Sequence, residues 1–272
     1  MTQPNAAQMA KAWDQAVTGY DEWIFTLSDG VARQSLSIMG VGPGQKVLDV
    51  ACGPGIFSIL AAQTGADVLA TDFSQGMVEH VLKTARHLGI DGVQAEVMDG
   101  QDLQLEDSSF DIAYSSFGIM LFPDMAAGMR EFCRVLKPGG MGAITAFTGP
   151  EGLEINRLII GALKAANPEF QPAGPSPLFS LADPDVFRSE MLAAGFSRAN
   201  LFTVRSVIPF SSPEEFWPKM AEALPAWRLM INSLTDRQRQ IFGEAFVTQV
   251  RSEQGDGPFA TEAEVHIGIG VK

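Results

Sequence analysis

Between residues 46 and 147 the chain alternates short apolar runs with segments in which apolar residues recur at helical spacing. Short apolar runs are typical of strands buried on both faces, and helical spacing between them is what βαβ units require. The pattern therefore predicts an α/β fold built on a doubly wound, mostly parallel sheet. Its first five strands are KVLDVA, DVLATD, VQAEVM, FDIAYS and MGAITAF.

Two amphipathic patterns between these strands predict helices that cover the faces of the sheet. One spans residues 77–88 and the other spans residues 125–136. We expect Lys137-Pro138-Gly139-Gly140 to end the second helix and to turn the chain into the fifth strand, because proline cannot continue a helix and glycine permits a tight turn.

The sequence on both sides of this core predicts further helices and two more strands. Apolar residues between positions 9 and 24 trace one face of a single amphipathic helix, and the proline-rich residues 167–182 predict an ordered loop. Three later helices begin at N-cap signals, which are Asp183-Pro184, Ser212-Pro213-Glu214-Glu215 and the pair Thr235 and Gln238. SRANLFTVRSVIPF and TEAEVHIGIGV are the sixth and final predicted strands.

Polar chemistry concentrates where the first three strands end. The first strand runs into the turn GPGIFS, in which glycines let backbone N–H groups approach a ligand. Ser58 stands where the dinucleotide fingerprint has its third glycine, which disfavours a pyrophosphate ligand. Asp72 closes the second strand 19 residues after Gly53, where a carboxylate can accept hydrogen bonds from ribose hydroxyls. Asp99-Gly100 closes the third strand at the same edge.

Together with Asp49, these residues bring three carboxylates to one crevice. Their negative charge suits a ligand with cationic groups, such as a sulfonium or an ammonium, better than it suits a pyrophosphate. A nicotinamide oxidoreductase shares this sheet and Asp72, but the sequence shows neither a pyrophosphate loop nor a proton relay. We therefore disfavour an NAD-dependent enzyme.

Composition narrows the classes of protein further. A chain of 272 residues that is 46% hydrophobic can bury a full core, and it has no apolar stretch long enough to cross a membrane. We expect a soluble, cytoplasmic protein without a membrane partner. The formal net charge of −13 repels polyanions, so nucleic acid is not an expected partner. Two cysteines, Cys52 and Cys133, indicate buried reduced thiols, and no metal site is predicted.

Five motifs in order carry a resemblance to a known family. VLDVACGPG, ATDFSQGM, MDGQDL, FDIAYSSFGIMLFPD and LKPGG resemble the class I S-adenosylmethionine-dependent methyltransferases. Within that class they are most similar to the small-molecule group related to the ubiquinone/menaquinone C-methyltransferases. The resemblance implies S-adenosyl-L-methionine as cofactor and a Rossmann-like sheet of seven strands whose last strand is antiparallel. Residues 1–40 would then be a helical lid, 41–210 with 262–272 the core, and 211–261 a helical cap inserted between the last two strands.

The same resemblance assigns expected roles to individual residues. Residues on the methionyl part of the cofactor are Asp49, Ala51, Gly53 and Gly55, and Ser115 lies near its amino group. Asp72 binds the ribose, and the adenine contacts are Phe73, Met77, Asp99, Gly100 and Gln101.

The methyl acceptor is expected to lie among elements outside the core. Phe117 and Met120 follow the fourth strand, where the family places residues near the methyl group. Trp217 and Trp227 would roof an apolar pocket or belong to the core, and Arg228 would pair with an acidic substrate group or remain a solvated surface charge. Tyr20 is the candidate catalytic residue, although a half-buried packing role explains it equally well.

These residues predict a methyltransferase acting on a small, largely apolar organic acceptor. Displacement from a sulfonium needs mainly alignment and exclusion of water, and none of the three histidines, which are His80, His87 and His266, stands at an evident catalytic place. O-methylation ranks first, then C-methylation, then N-methylation. A protein that binds S-adenosylmethionine to direct a cyclisation or rearrangement would carry the same motifs. Both a monomer and a homodimer are compatible with the sequence.

Overall fold

The computed structural model describes residues 6–171, 174, 176–216, 218 and 225–272. A single sheet of seven strands has the order β3-β2-β1-β4-β5-β7-β6. Only β7 runs antiparallel to its neighbours, β5 and β6, which confirms the predicted fold class. The strands are β1 (Lys46–Val50), β2 (Asp67–Asp72), β3 (Val93–Val97), β4 (Phe110–Ser116), β5 (Leu136–Phe147), β6 (Arg198–Phe210) and β7 (Phe259–Val271).

Helices cover both faces of the sheet and its carboxyl edge. They are α1 (Ala6–Asp14), α2 (Val17–Met39), α3 (Ile56–Gln63), α4 (Gln75–Leu88), α5 (Met125–Arg134), α6 (Glu154–Ala166), α7 (Pro184–Ala193), α8 (Pro225–Ser233) and α9 (Asp236–Gln254). Short 3₁₀ turns occupy Ile119–Leu121 and Pro177–Phe179, the second within the predicted loop. No helix in the described part of the chain is both long and apolar enough to cross a bilayer.

Two of the predicted N-cap signals are confirmed. The Asp183 carboxylate accepts hydrogen bonds from the backbone N–H groups of Asp185 and Val186 at the start of α7. Thr235 and Gln238 form a reciprocal capping box at the start of α9. At the third signal, Ser212 Oγ accepts from the backbone N–H of Glu215, 3.2 Å away.

The prediction of one continuous N-terminal helix is wrong. The chain turns at Gln15 and Ala16, where the N–H of Ala16 bonds the carbonyl of Trp13 at 2.9 Å. The physical reason is tertiary, because the Asp14 carboxylate bonds the start of α4 and Ala16 is buried. Two helices, α1 and α2, therefore stand where the sequence predicted one.

The predicted end of the helix before β5 is also wrong. Helix α5 ends at Arg134, and residues 137–140 lie inside β5 rather than in a turn before it. They are held there by the end of the chain, since the N–H of Gly139 bonds the carbonyl of Lys272 and the N–H of Lys272 bonds the carbonyl of Gly140. A register shift between Phe110 and Ile112 on β4 accommodates this extension.

The core that positions the site lies between the sheet and the pair α2 and α3. Tyr114 of β4 and Phe57 of α3 stack with ring centroids 3.7 Å apart, and both side chains are buried. Helix α2 packs beside α3 and continues over the far strands β6 and β7. The carboxyl ends of β1, β2 and β4 consequently open beneath the first turns of α2.

Candidate cofactor site

The turn between β1 and α3 has a left-handed backbone at three positions. Ala51 has a φ of 52°, Gly53 of 53° and Gly55 of 83°. Gly55 is also tightly enclosed, since a Cβ there would lie 2.5 Å from a methyl carbon of Val81 on α4. Ala51 carries the conformation at a cost of roughly 1 to 2 kcal/mol for an L-residue. This strain and close packing bring the turn's backbone to the carboxyl edge of the sheet.

Asp49 is the most deeply buried acidic group of the turn. Its Oδ2 atom accepts a hydrogen bond of 2.6 Å from Ser58 Oγ, whereas its Oδ1 atom is buried and bonds none of the described residues. Burial raises the pKa of this carboxyl to about 7. Ser58 stands where the dinucleotide fingerprint has its third glycine. Its hydroxyl orients the Asp49 carboxylate.

Asp72 lies across the turn from Asp49, at the end of β2. Its two oxygens accept backbone hydrogen bonds of 2.9 Å each, from the N–H of Gly53 and from the N–H of Ser74. Burial raises its pKa to about 6, and these two bonds oppose the rise. A carboxylate with this geometry fixes the turn and retains further lone pairs for a ligand.

Tyr20 reaches the turn from α2. Its Cε1 atom lies 3.6 Å from the place where a Cβ on Gly53 would stand, so the ring covers that glycine. The ring of Trp13 meets it edge-on, with centroids 5.0 Å apart. Burial, with a smaller contribution from the Asp72 charge, raises the pKa of the phenol. Tyr20 is therefore neutral near pH 7 and can donate a hydrogen bond.

A cavity of about 30 Å³ lies between α2 and the turn. It brings together four of the predicted residues, Tyr20, Asp49, Ala51 and Gly53. Sequence reasoning missed others that line it, among them Ile24, Ser28 and Ser116. The signal for the first two was present, because positions 20, 24 and 28 fall on one face of a helix.

The predicted adenine-binding residues follow β3. Gly100 is buried, and a Cβ there would lie 2.5 Å from the ring of Phe122, a neighbour that the sequence did not indicate. Asp99 is exposed and accepts from the backbone N–H of Gln101 at 2.9 Å, while Gln101 Oε1 accepts from the N–H of Asp124 at 2.7 Å. Beside this loop, Phe73 is half-buried and Met77 is buried on α4.

The segment after β4 is packed tightly against the same turn. Ser115 Oγ is buried and bonds none of the described residues. Phe117 has a φ of 53°, and its ring stacks on Phe147 with centroids 4.6 Å apart. Phe117 and Met120 are both buried and do not line the cavity described above.

The predicted residues of the cap are located only in part. Trp227 and Arg228 are half-buried on α8 and do not line this cavity. Trp217 lies outside the described residues.

The acceptor atoms at the turn fit a cationic ligand that also carries hydroxyl groups. Asp49 Oδ1 and Ser115 Oγ are buried acceptors without a partner among the described residues, and such atoms are costly unless a ligand completes them. An ammonium group would satisfy them, and a ribose would find the remaining lone pairs of Asp72. S-adenosylmethionine carries an ammonium group, a sulfonium group and ribose hydroxyls, which match these acceptor atoms.

Known proteins that are similar to this chain agree with the ligand inferred from these acceptor atoms. A family profile described as a methyltransferase domain matches residues 47–140. The demethylmenaquinone methyltransferase of Mycobacterium sp. (strain JLS) is 31% identical over 201 residues, which cover 72% of this chain and 83% of that protein. The demethylmenaquinone methyltransferase of Corynebacterium kroppenstedtii is 35% identical over 147 residues, 53% of this chain. The matched part of this chain spans 61% of that relative's length.

Among solved structures, the [4+2]-cyclase SpnF aligns with a TM-score of 0.60 at 17% identity, over 100% of this chain and 97% of its own. At that identity the alignment bears on the fold alone. The relative that is similar over most of its length, the matched domain and the glycine turn point to one family. The chain belongs to the class I S-adenosylmethionine-dependent methyltransferases.

Proposed function

We propose that this protein transfers a methyl group from S-adenosylmethionine to a small, largely apolar organic acceptor, with an acceptor oxygen as the favoured atom. The observation that carries the proposal is the pair of buried carboxylates, Asp49 and Asp72, on the two sides of a left-handed glycine turn. One oxygen of the pair, Asp49 Oδ1, bonds none of the described residues. Such a site favours a ligand that carries positive charge.

The cofactor would be held by the residues that the family resemblance assigns. Asp49 and Ser115 would accept from its ammonium group, and the backbone of Ala51, Gly53 and Gly55 would contact its methionyl part. Asp72 would accept from the ribose hydroxyls. The adenine would lie among Phe73, Met77, Asp99, Gly100 and Gln101. When bound, the cofactor supplies a methyl group on a positively charged sulfur, which is already a good leaving group.

The protein itself would align the acceptor with the methyl group, exclude water and provide the charged groups of the site. In the proposed transfer, the acceptor oxygen would gain a C–O bond as the bond from the methyl group to sulfur breaks, S-adenosylhomocysteine would remain, and the acceptor proton would pass to solvent when the product leaves. Tyr20 would donate a hydrogen bond to the acceptor rather than remove its proton, because its raised pKa keeps the phenol neutral. Helix α2 would exclude water above the turn, which strengthens every electrostatic contact below it.

The class of acceptor is inferred from the relatives and from the cap. The relatives named above are called demethylmenaquinone methyltransferases, which supports an apolar ring that carries oxygen. Carbon of an activated ring ranks second and nitrogen third. Phe117, Met120 and Trp227 would form the apolar surroundings of the acceptor, and Arg228 would pair with an acidic group on it.

The proposal is tested with isotopically labelled methyl donor and three panels of acceptors: apolar phenols and quinols, ring-activated enols, and amines. We expect S-adenosylhomocysteine and labelled product to form in equal amounts, with phenols and quinols the best substrates. Asp72→Asn should lose most of this activity. Asp67→Asn is the matched control, because Asp67 is exposed at the other end of the same strand. Absence of label transfer to any acceptor class would contradict the proposal.

A second candidate is a cyclisation or rearrangement steered by the bound cofactor without methyl transfer. It stays open because the cofactor motifs would be the same for either reaction, and a protein called a [4+2]-cyclase shares the fold. The two candidates differ in stoichiometry. A cyclase converts substrate into an isomer and consumes no methyl donor, whereas a methyltransferase releases one S-adenosylhomocysteine per product.

A further inference from the structure

We propose that Asp14 is a positioning residue, which clasps the N-terminal helices to the ribose-binding carboxylate and so couples their closure to cofactor binding. The proposal rests on the role given above to Asp72. It concerns α1 and α2, which belong to none of the βαβ units and yet supply Tyr20.

The clasp is a pair of hydrogen bonds between distant parts of the chain. Asp14 Oδ1 accepts from Ser74 Oγ at 2.5 Å and from the backbone N–H of Gly76 at 2.9 Å. The absence of a side chain on Gly76 permits this approach, since a Cβ there would lie 3.2 Å from the Cα of Asp14. Asp14 thus ends α1 and at the same time satisfies a backbone donor in the first turn of α4.

From Asp14 a continuous chain of hydrogen bonds leads to the glycine turn. Ser74 donates its hydroxyl hydrogen to Asp14 Oδ1 and its backbone N–H to Asp72 Oδ1. The other oxygen of Asp72 accepts from the N–H of Gly53, which lies under the ring of Tyr20. The N-terminal segment therefore reaches the turn by two routes, through Asp14 and through Tyr20.

A cap for α4 alone does not explain this arrangement. Ser74 already provides the local N-cap, since its Oγ accepts from the N–H of Met77 at 3.2 Å. Asp14 adds a second negative charge close to Asp72, and two like charges repel. The ammonium group that S-adenosylmethionine shares with S-adenosylhomocysteine would offset that repulsion when either is bound between α2 and the turn. The placement of Asp14 is consequently most favourable when the site is loaded.

A second contact joins α4 to α2. His80 Nε2 on α4 lies 3.2 Å from Asp21 Oδ2 on α2, next to Tyr20 in sequence. The clasp holds the end of α1 against the start of α4, and the His80 contact holds α2 against the same helix, so Tyr20 lies in sequence between the two points of attachment. The cavity of about 30 Å³ is lined both by Tyr20 of α2 and by the glycine turn, so a ligand that enters it contacts α2 as well as the turn.

The test compares wild type, Asp14→Ala, Asp14→Asn and the control Asp29→Ala. Asp29 is an aspartate on α2 whose carboxylate pairs with Arg33 on the same helix. The first readout is the dissociation constant for S-adenosylhomocysteine, measured by calorimetry. We expect Asp14→Ala to bind about tenfold more weakly, the loss of about 1.4 kcal/mol expected for hydrogen bonds to a charged group, and Asp29→Ala to match wild type.

The second readout separates positioning from mere stability. S-adenosylhomocysteine should slow tryptic cleavage at Lys11 in wild type and in Asp29→Ala, and it should not slow cleavage in Asp14→Ala. Asp14→Asn keeps the shape and one acceptor oxygen, so it tests the clasp if the alanine variant does not fold. We expect an intermediate loss of ligand protection for it. Full ligand protection in a folded Asp14 variant, with unchanged affinity, would overturn the proposal.

Failure of this inference is distinguishable from failure of the proposed function. Wild type that does not bind S-adenosylhomocysteine contradicts the cofactor assignment itself. Wild type that binds, together with a folded Asp14 variant that binds equally well, contradicts only the role of Asp14.

Discussion

At the scale of single residues, the site depends on two acids whose surroundings differ. Asp49 has one oxygen bonded to Ser58 and the other without a described partner, whereas both oxygens of Asp72 accept backbone N–H groups. Asp49 therefore offers an acceptor oxygen to a cation, whereas Asp72 shapes the turn and, in the proposed function, would also accept from the ribose hydroxyls. Substitutions at these positions should affect binding before they affect folding.

Asp72→Asn should weaken the affinity for S-adenosylmethionine by about 1.5 to 3 kcal/mol, the range for hydrogen bonds to a charged group. Asparagine keeps the size of the side chain and one acceptor oxygen, but its NH₂ group faces one of the two backbone N–H donors, so a thermal melt must accompany the titration to show that the variant is folded. Calorimetric titration measures the change, with Asp67→Asn as the control at the exposed end of β2. An unchanged dissociation constant would remove Asp72 from the ribose site.

Tyr20→Phe should lower the rate of turnover and leave cofactor affinity unchanged, because the ring still covers Gly53 while the hydrogen-bond donor is lost. The only other tyrosine of the chain provides the control. Tyr114 is fully buried, its ring stacks on Phe57 and it does not line the cavity, so Tyr114→Phe should leave turnover intact. Equal rates for both variants and wild type would return Tyr20 to a packing role.

The sequence predicts candidate site residues at the strand ends, and Tyr20 from outside the core, but it does not predict the contacts that join these elements. Asp49, Asp72 and Gly100 follow from the apolar runs, because the carboxyl ends of parallel strands share one edge. The bond from Ser58 to Asp49 and the approach of Phe122 to Gly100 depend on packing between elements, which no local pattern records. The bonds of Asp14 to Ser74 and Gly76 are of the same kind.

At the scale of elements, caps were predictable and breaks were not. The capping box of α9 follows from side-chain chemistry within four residues, so the sequence contains it. The break between α1 and α2 does not, because it is stabilised by contacts with α4. Helix α6 was not predicted, although its buried residues Ile155, Leu158, Ile159 and Ala162 recur at helical spacing.

Thr235→Ala should destabilise the start of α9 by about 1 kcal/mol, because a capping hydroxyl is lost and backbone donors are left to water. Thr248→Ala is the control, since Thr248 Oγ1 only bonds the carbonyl of Glu244 within the same helix. Hydrogen exchange at residues 236–239 measures the local effect. Equal exchange in both variants would show that the box contributes nothing to α9.

At the scale of the whole molecule, the buried acids link stability and binding to pH. Burial raises the pKa of Asp49 to about 7 and that of Asp72 to about 6, both above the ordinary value of 3.8. The folded protein therefore holds protons that the unfolded chain releases. Their contribution to stability is fully present below about pH 4 and is lost as the pH rises through 6 and 7.

The ligand-free protein should therefore lose thermal stability between about pH 5 and pH 8, whereas the affinity for S-adenosylmethionine should rise over the same interval. The ligand binds the charged carboxylates, so binding releases protons. Thermal melts and calorimetry at several pH values, in buffers of different ionisation enthalpy, measure both effects. The double variant Asp49→Asn with Asp72→Asn should show a smaller pH dependence of each, and an identical slope would contradict the assignment.

The position of β7 has a consequence for how the chain folds as it is synthesised. β7 pairs with β5 on one side and with β6 on the other, and among the described strands β6 pairs with β7 alone. Residues 46–147 can therefore assemble five parallel strands early, while residues 198–210 wait for residues 259–271 to emerge from the ribosome. The segment that contains the glycine turn, residues 46–147, can thus bind a ligand before the rest of the sheet has formed. A ribosome-bound chain that stops before residue 259 should already bind the cofactor's adenosine part, and only the completed chain should close the sheet.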